Sequence, residues 1–115
     1  MRKIMLGLTG ATLMTVSACA TVPARQPGSE LVGRTMRVEL PNGQATLLRF
    51  AADGTVTGTA GPNQAVGRWS VANRQICMDW PRQGRECFPY AQPFAIGKTV
   101  SVTGSSGATV RVTLQ

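Results

Sequence analysis

Histidine is absent from this chain, and only five acidic residues occur among its 115. Without an imidazole, neither a Ser-His-Asp nor a Cys-His nucleophilic system can be assembled. Zinc and copper also lose their commonest ligand. The acids, Glu30, Glu39, Asp53, Asp79 and Glu86, are too scattered to suggest the converging carboxylate pair of glycoside hydrolysis. The glycine-rich stretch Gly58 to Gly61 joins two extended segments, so no helix N-terminus follows it to cradle a phosphate. The chain therefore reads as non-catalytic, with no catalytic residue, metal or cofactor expected. Aromatics are also sparse, at six. No basic run is interleaved with them, which argues against nucleic-acid binding.

Long apolar runs are missing too. The longest, from Ile4 to about Val16, is broken by Gly7, Thr9, Gly10, Thr12 and Thr15. It is shorter than the roughly 20 apolar residues a transmembrane helix needs. Arg2 and Lys3 precede it, and the small residues Ser17 and Ala18 lead from it into Cys19. That is the layout of an exported signal with a cysteine at the cut. Val16-Ser17-Ala18-Cys19 resembles the lipobox of bacterial lipoproteins. The resemblance implies that residues 1–18 are removed and that Cys19 carries lipid, anchoring the protein to a membrane. A plain small-residue cleavage site is the rival, but an unpaired cysteine at the cut is an odd choice in an oxidising compartment. No twin-arginine signal is present. Ala20 rather than aspartate follows the cysteine, which by the lipoprotein sorting rule implies the outer membrane, facing the periplasm.

Removal of residues 1–18 leaves 97, enough for one domain. A chain this small commonly needs a covalent staple or a closed sheet. With Cys19 assigned to lipid, Cys77 and Cys87 form an even pair in an exported protein, and a disulfide is expected. The mature part holds ten basic residues, nine Arg and Lys98, against the five acids. Such a surface suits an envelope protein or an anionic envelope polymer as partner. Solubility alone is the simpler reason for that charge.

Residues 20–33 are small, polar and proline-bearing, and Cys19 to Gly33 reads as a lipidated tether. From residue 34 to 115 the pattern is β: alternating runs of five to seven residues separated by turns. The expected strands are 35–40, 44–50, 55–59, 66–71, 76–80, 85–90, 99–103 and 108–114. Eight short strands in a meander predict an all-β antiparallel barrel or curled sheet, which removes exposed edges. Gly58 and Gly67 are expected at bends or where Trp69 needs room. Placing Cys77 opposite Cys87 sets Asp79 against Arg85, Ile76 against Phe88 and Trp80 against Gly84, all sensible cross-strand pairs. A four-residue turn ending in a left-handed Gly84 would shift that register by one, and the disulfide is given precedence.

Residues 47–76 carry Phe50, an Asp53-Gly54 turn, Gly58 to Gly61, Asn63, and Gly67, Trp69 and Val71 at alternate positions. This series resembles the core of the META domain of heat-inducible bacterial lipoproteins. The opening Leu31-Val32-Gly33 and the final strands are similar as well. Pro62 stands where that family has cysteine, its later T-x-M-x-C is missing, and the Cys77–Cys87 hairpin replaces a segment that is often helical there. The resemblance implies a small envelope domain linked to stress tolerance, with no catalytic residues to carry over.

The function expected is thus a lipid-anchored protein acting by binding, envelope integrity or stress tolerance. Trp69, Trp80, Arg82, Arg85, Phe88 and Tyr90 are its candidate partner or ligand surface. One alternative is a periplasmic hydrolase inhibitor with Pro81 to Gly84 projecting. Another is an apolar-ligand binder with the four aromatics around a barrel mouth. Against the last, a small barrel has little interior once its side chains are packed.

Overall fold

A computed structural model of the chain describes residues 26–115, so the signal segment, Cys19 and the start of the tether lie outside the described residues. The fold is all-β. Eight antiparallel strands form one sheet: β1 (Thr35–Glu39), β2 (Ala45–Phe50), β3 (Thr55–Ala60), β4 (Asn63–Ala72), β5 (Gln75–Trp80), β6 (Gly84–Pro89), β7 (Thr99–Thr103) and β8 (Thr109–Leu114). Their order is β6-β5-β4-β3-β2-β1-β8-β7, a meander in which β8 returns to pair with β1. The sheet curls until its two edge strands, β6 and β7, approach each other and nearly close a barrel.

Alternation decides the faces. Met36 and Val38, Leu48 and Phe50, Val56, Ile76 and Met78, and Val110, Val112 and Leu114 point inward and are buried. Every second residue between them points out. Leu47 and Leu48 are adjacent apolar residues, and the register resolves them: Leu48 is buried, whereas Leu47 is exposed.

The Cys77–Cys87 pair sits at disulfide distance with the expected register, Ile76 facing Phe88, Asp79 facing Arg85 and Trp80 facing Gly84. Gly84 nevertheless has a left-handed backbone, with φ +81°. The two features are compatible because the loop is three residues, Pro81 to Gln83, closed by a left-handed glycine that still pairs across the hairpin. Neither backbone polar group of Cys87 faces β5. Its N–H donates to Ser105 Oγ, 3.1 Å, and its carbonyl accepts from Ser105 N–H, 2.8 Å. Cys77 and Cys87 are thus a non-hydrogen-bonded pair, the type in which side chains approach most closely.

Those two hydrogen bonds also shut the barrel. The β7–β8 turn docks on β6, and Ser106 adds a bond from its hydroxyl to Glu86 Oε2 at 2.8 Å. Gly104 is required there, because a Cβ would collide with Glu86 and the Phe88 ring. Further along β6, Pro89 has no N–H to continue the ladder. The half-buried Phe94, from the loop after β6, packs against the core instead.

Two expectations are corrected. Strand β4 begins at Asn63, three residues before the predicted Val66, because Gly61, at φ +59°, lets Gly61-Pro62 make a two-residue turn and pairing resumes at once. The stretch 19–33 is not tether throughout. Residues Ser29–Leu31 form a 3-10 turn, and Leu31 is fully buried. The folded unit starts near Gly28, since its N–H donates to the Tyr90 hydroxyl at 2.9 Å.

Candidate functional site

The barrel has two unlike ends. At one, the 3-10 turn lies across the opening. Tyr90 donates its hydroxyl hydrogen to the Glu30 carboxylate at 2.9 Å, and Glu30 in turn accepts the Phe94 N–H at 3.0 Å. Burial and this bond to Glu30 raise the Tyr90 pKa above its ordinary value, since both disfavour a phenolate beside a carboxylate. Trp69 is fixed here too: its indole N–H donates to the Ala51 carbonyl at 3.0 Å, and its ring meets Phe50 edge-on with centroids 5.1 Å apart. Val32 bridges to Phe50, and Ile96 to Leu114. This end is sealed.

The other end carries the turns β1–β2, β3–β4, β5–β6 and β7–β8, and it is open. A cavity of about 440 Å³ runs from Phe50 and Phe94 at its floor, between Met36, Leu48, Ile76 and Val112, to a mouth at Leu40, Trp80 and Glu86. This volume falls within the usual range for small-molecule sites, roughly 300–1,000 Å³. It is also well above the ~150 Å³ of an apolar cavity that holds benzene. Its lining is mostly apolar. The polar groups gather at the rim, where Asn63, Gln64 and Gln83 are exposed to solvent. Among the described residues, Glu86 is the one charged residue that lines the cavity.

Trp80 owes its place to two glycines. Its ring lies against Gly58 and Gly67, where an added Cβ would come within 3.1 and 2.9 Å of it. The room expected for Trp69 is taken by Trp80 instead, because Trp80 extends across the β3–β4 pair while Trp69 packs below on Phe50 and Gly28.

The sequence-derived surface therefore separates into three parts. Trp80 and Phe88 line the cavity. Arg82 is exposed on the β5–β6 turn, and Arg85 lies on the outer face, paired with Asp79 at 3.0 Å. Trp69 and Tyr90 belong to the sealed end. The cysteine pair lies outside the cavity on the Asp79/Arg85 face. The expectation that packed side chains would leave little interior is overturned by the cavity itself. Small residues on β3 and β4 (Gly58, Ala60, Ala65) leave that half of the wall thin. Alternation along β6 places Glu86 between Gly84 and Phe88 on the apolar face, a signal the sequence does carry. No signal marked Glu30, which fell in the stretch read as tether.

Comparison of the chain with protein-family models, with curated proteins and with solved structures finds no match.

Proposed function

We propose that this is a lipid-anchored envelope protein whose barrel holds a small apolar ligand and performs no catalysis. The observation that carries the binding half is the cavity of about 440 Å³ with its mostly apolar lining. The anchor half rests on the lipobox pattern ending at Cys19, and the absence of histidine supports a non-catalytic role. The chain enters the fold at the sealed end, so a tether from Cys19 attaches opposite the mouth and leaves it free for periplasmic ligands. The META-like series within residues 47–76 supports a place in envelope stress tolerance.

The binding half is tested on the mature chain exported behind an ordinary cleavable signal with Cys19→Ala. N-phenyl-1-naphthylamine should enter with saturable fluorescence gain, and Thr46→Trp, which fills the mouth, should abolish it without lowering the melting temperature. Absence of saturable uptake by the unfilled barrel sinks the reading. The anchor half is tested by palmitate labelling and membrane fractionation of the natural chain. Label and outer-membrane co-sedimentation should both be lost in Cys19→Ala.

A second reading, a hydrolase inhibitor, is favoured by the exposed Pro81-Arg82-Gln83 turn held on a disulfide-linked hairpin. Lysozymes are usually basic, as this chain is, so like charge disfavours them as the target. A panel of lysozymes and proteases unaffected at micromolar protein removes it.

A further inference from the structure

The cavity carries information about the head group of its ligand, an inference that rests on the binding reading above. Its walls are apolar from the Phe50 and Phe94 floor to Trp80, which suits a hydrocarbon chain. Among the described residues, Glu86 is the one ionisable group at its mouth. The Glu86 side chain is held in place: Oε2 accepts from the Ser106 hydroxyl at 2.8 Å and from Ser106 N–H at 3.4 Å, while Oε1 makes no hydrogen bond to the described residues. A fixed carboxylate with one oxygen free is an acceptor. The neighbouring rim groups Asn63, Gln64 and Gln83 are neutral amides. Among the described residues no basic side chain lines the cavity; Arg82 is exposed on the turn, and Arg85 is spent on Asp79 outside.

We propose that the barrel selects a single-chain amphiphile whose head group donates hydrogen bonds, an amine above all, and that Glu86 excludes carboxylate head groups. A carboxylate seated at the mouth would meet the like charge of Glu86, and among the described residues no basic side chain lines the cavity to offset it. An ammonium or hydroxyl would instead donate to Glu86 Oε1. This preference runs opposite to the bulk field of the protein. The ten basic against five acidic residues of the mature part draw anions to the outer surface, so non-specific adsorption would favour the fatty acid.

The experiment compares dodecylamine, dodecanol and dodecanoate, all of one chain length. Each is titrated below its micelle concentration at pH 7 into the mature chain with Cys19→Ala, and binding is followed by tryptophan emission. Trp80→Phe serves as the control that assigns the signal to the mouth. The amine should bind tightest and the carboxylate about tenfold or more weaker than the alcohol. Glu86→Gln, which keeps a hydrogen-bonding partner for Ser106, should bring the carboxylate level with the alcohol. Gln83→Lys, at an exposed position, should make the carboxylate the best of the three. Equal binding of amine and carboxylate, or an order unchanged in both variants, overturns the head-group proposal while leaving the cavity reading intact. Failure of all three probes to bind overturns the cavity reading as well.

Discussion

The sealed and open ends of the barrel are made from the same strands and differ in what fills the space between them. At the sealed end Leu31, Phe50 and Leu114 are fully buried, and Trp69 is locked by a ring contact and a hydrogen bond. At the open end Trp80, Glu86 and Phe88 are only half-buried, and solvent reaches between them. Eight strands give an interior at the border between filled and hollow, so local side-chain size decides which outcome each level takes. Stability should therefore concentrate at one end and binding at the other.

The sharpest way to break that comparison is to truncate one aromatic at each end. Phe50→Ala should cost about 3–5 kcal/mol, because a fully buried ring leaves a cavity its neighbours cannot collapse into. Phe88→Ala should cost roughly 1–2 kcal/mol, since the half-buried ring has less apolar surface withdrawn from water than the fully buried Phe50. Denaturant melts of the two variants decide it, and equal losses would mean the two ends are not energetically distinct.

The disulfide is next in size. Cys77→Ser with Cys87→Ser should cost about 2–3 kcal/mol through the freed unfolded chain. The melting temperature should fall by roughly 10 °C at the rate expected for a domain this small. Peptide mapping without reductant should find the two cysteines linked. Free thiols at both positions would remove the staple from the account of the open half.

Tyr90 offers a smaller effect at the sealed end, and one that depends on pH. Because its pKa is raised in the fold, its contribution is fully present below pH 10 and is lost as pH rises through the folded value. Tyr90→Phe should cost about 1 kcal/mol at neutral pH. It should also flatten the fall in stability above pH 10, as seen in melts taken across that range. If the variant declines with the natural slope, the Tyr90–Glu30 link does not hold the plug.

The smallest expected effect is a gain. The β4–β5 turn places both Asn73 and Arg74 at positive φ, 54° and 61°. A left-handed conformation costs a non-glycine residue about 1–2 kcal/mol. Arg74→Gly should recover roughly 0.5–1 kcal/mol of that, after the entropy glycine adds to the unfolded chain. Since this turn lies at the sealed end, cavity binding should stay unchanged.

Much of the fold was legible in the residues. Strict alternation in β1 and β8 named the inward positions Met36, Val38, Val110, Val112 and Leu114. The cysteine pair set the β5–β6 register against a turn rule that would have shifted it. Less of the site was visible. Trp69 and Trp80 carry the same alternation signal, yet one is locked into the sealed end and the other borders the cavity. The choice depends on Gly58 and Gly67 lying beside Trp80 across two neighbouring strands.

Composition and spacing alone determined the all-β class, the number of strands and the cysteine partnership, because each is a local property of residue type and period. Tertiary structure alone decided that Leu31 plugs one end, that the β7–β8 turn clasps β6, and that about 440 Å³ stays open at the other end. These depend on how far a sheet curls before its edges meet and on contacts between residues some 60 positions apart, such as Tyr90 with Gly28 and Glu30. No local pattern encodes a radius or a meeting of that range.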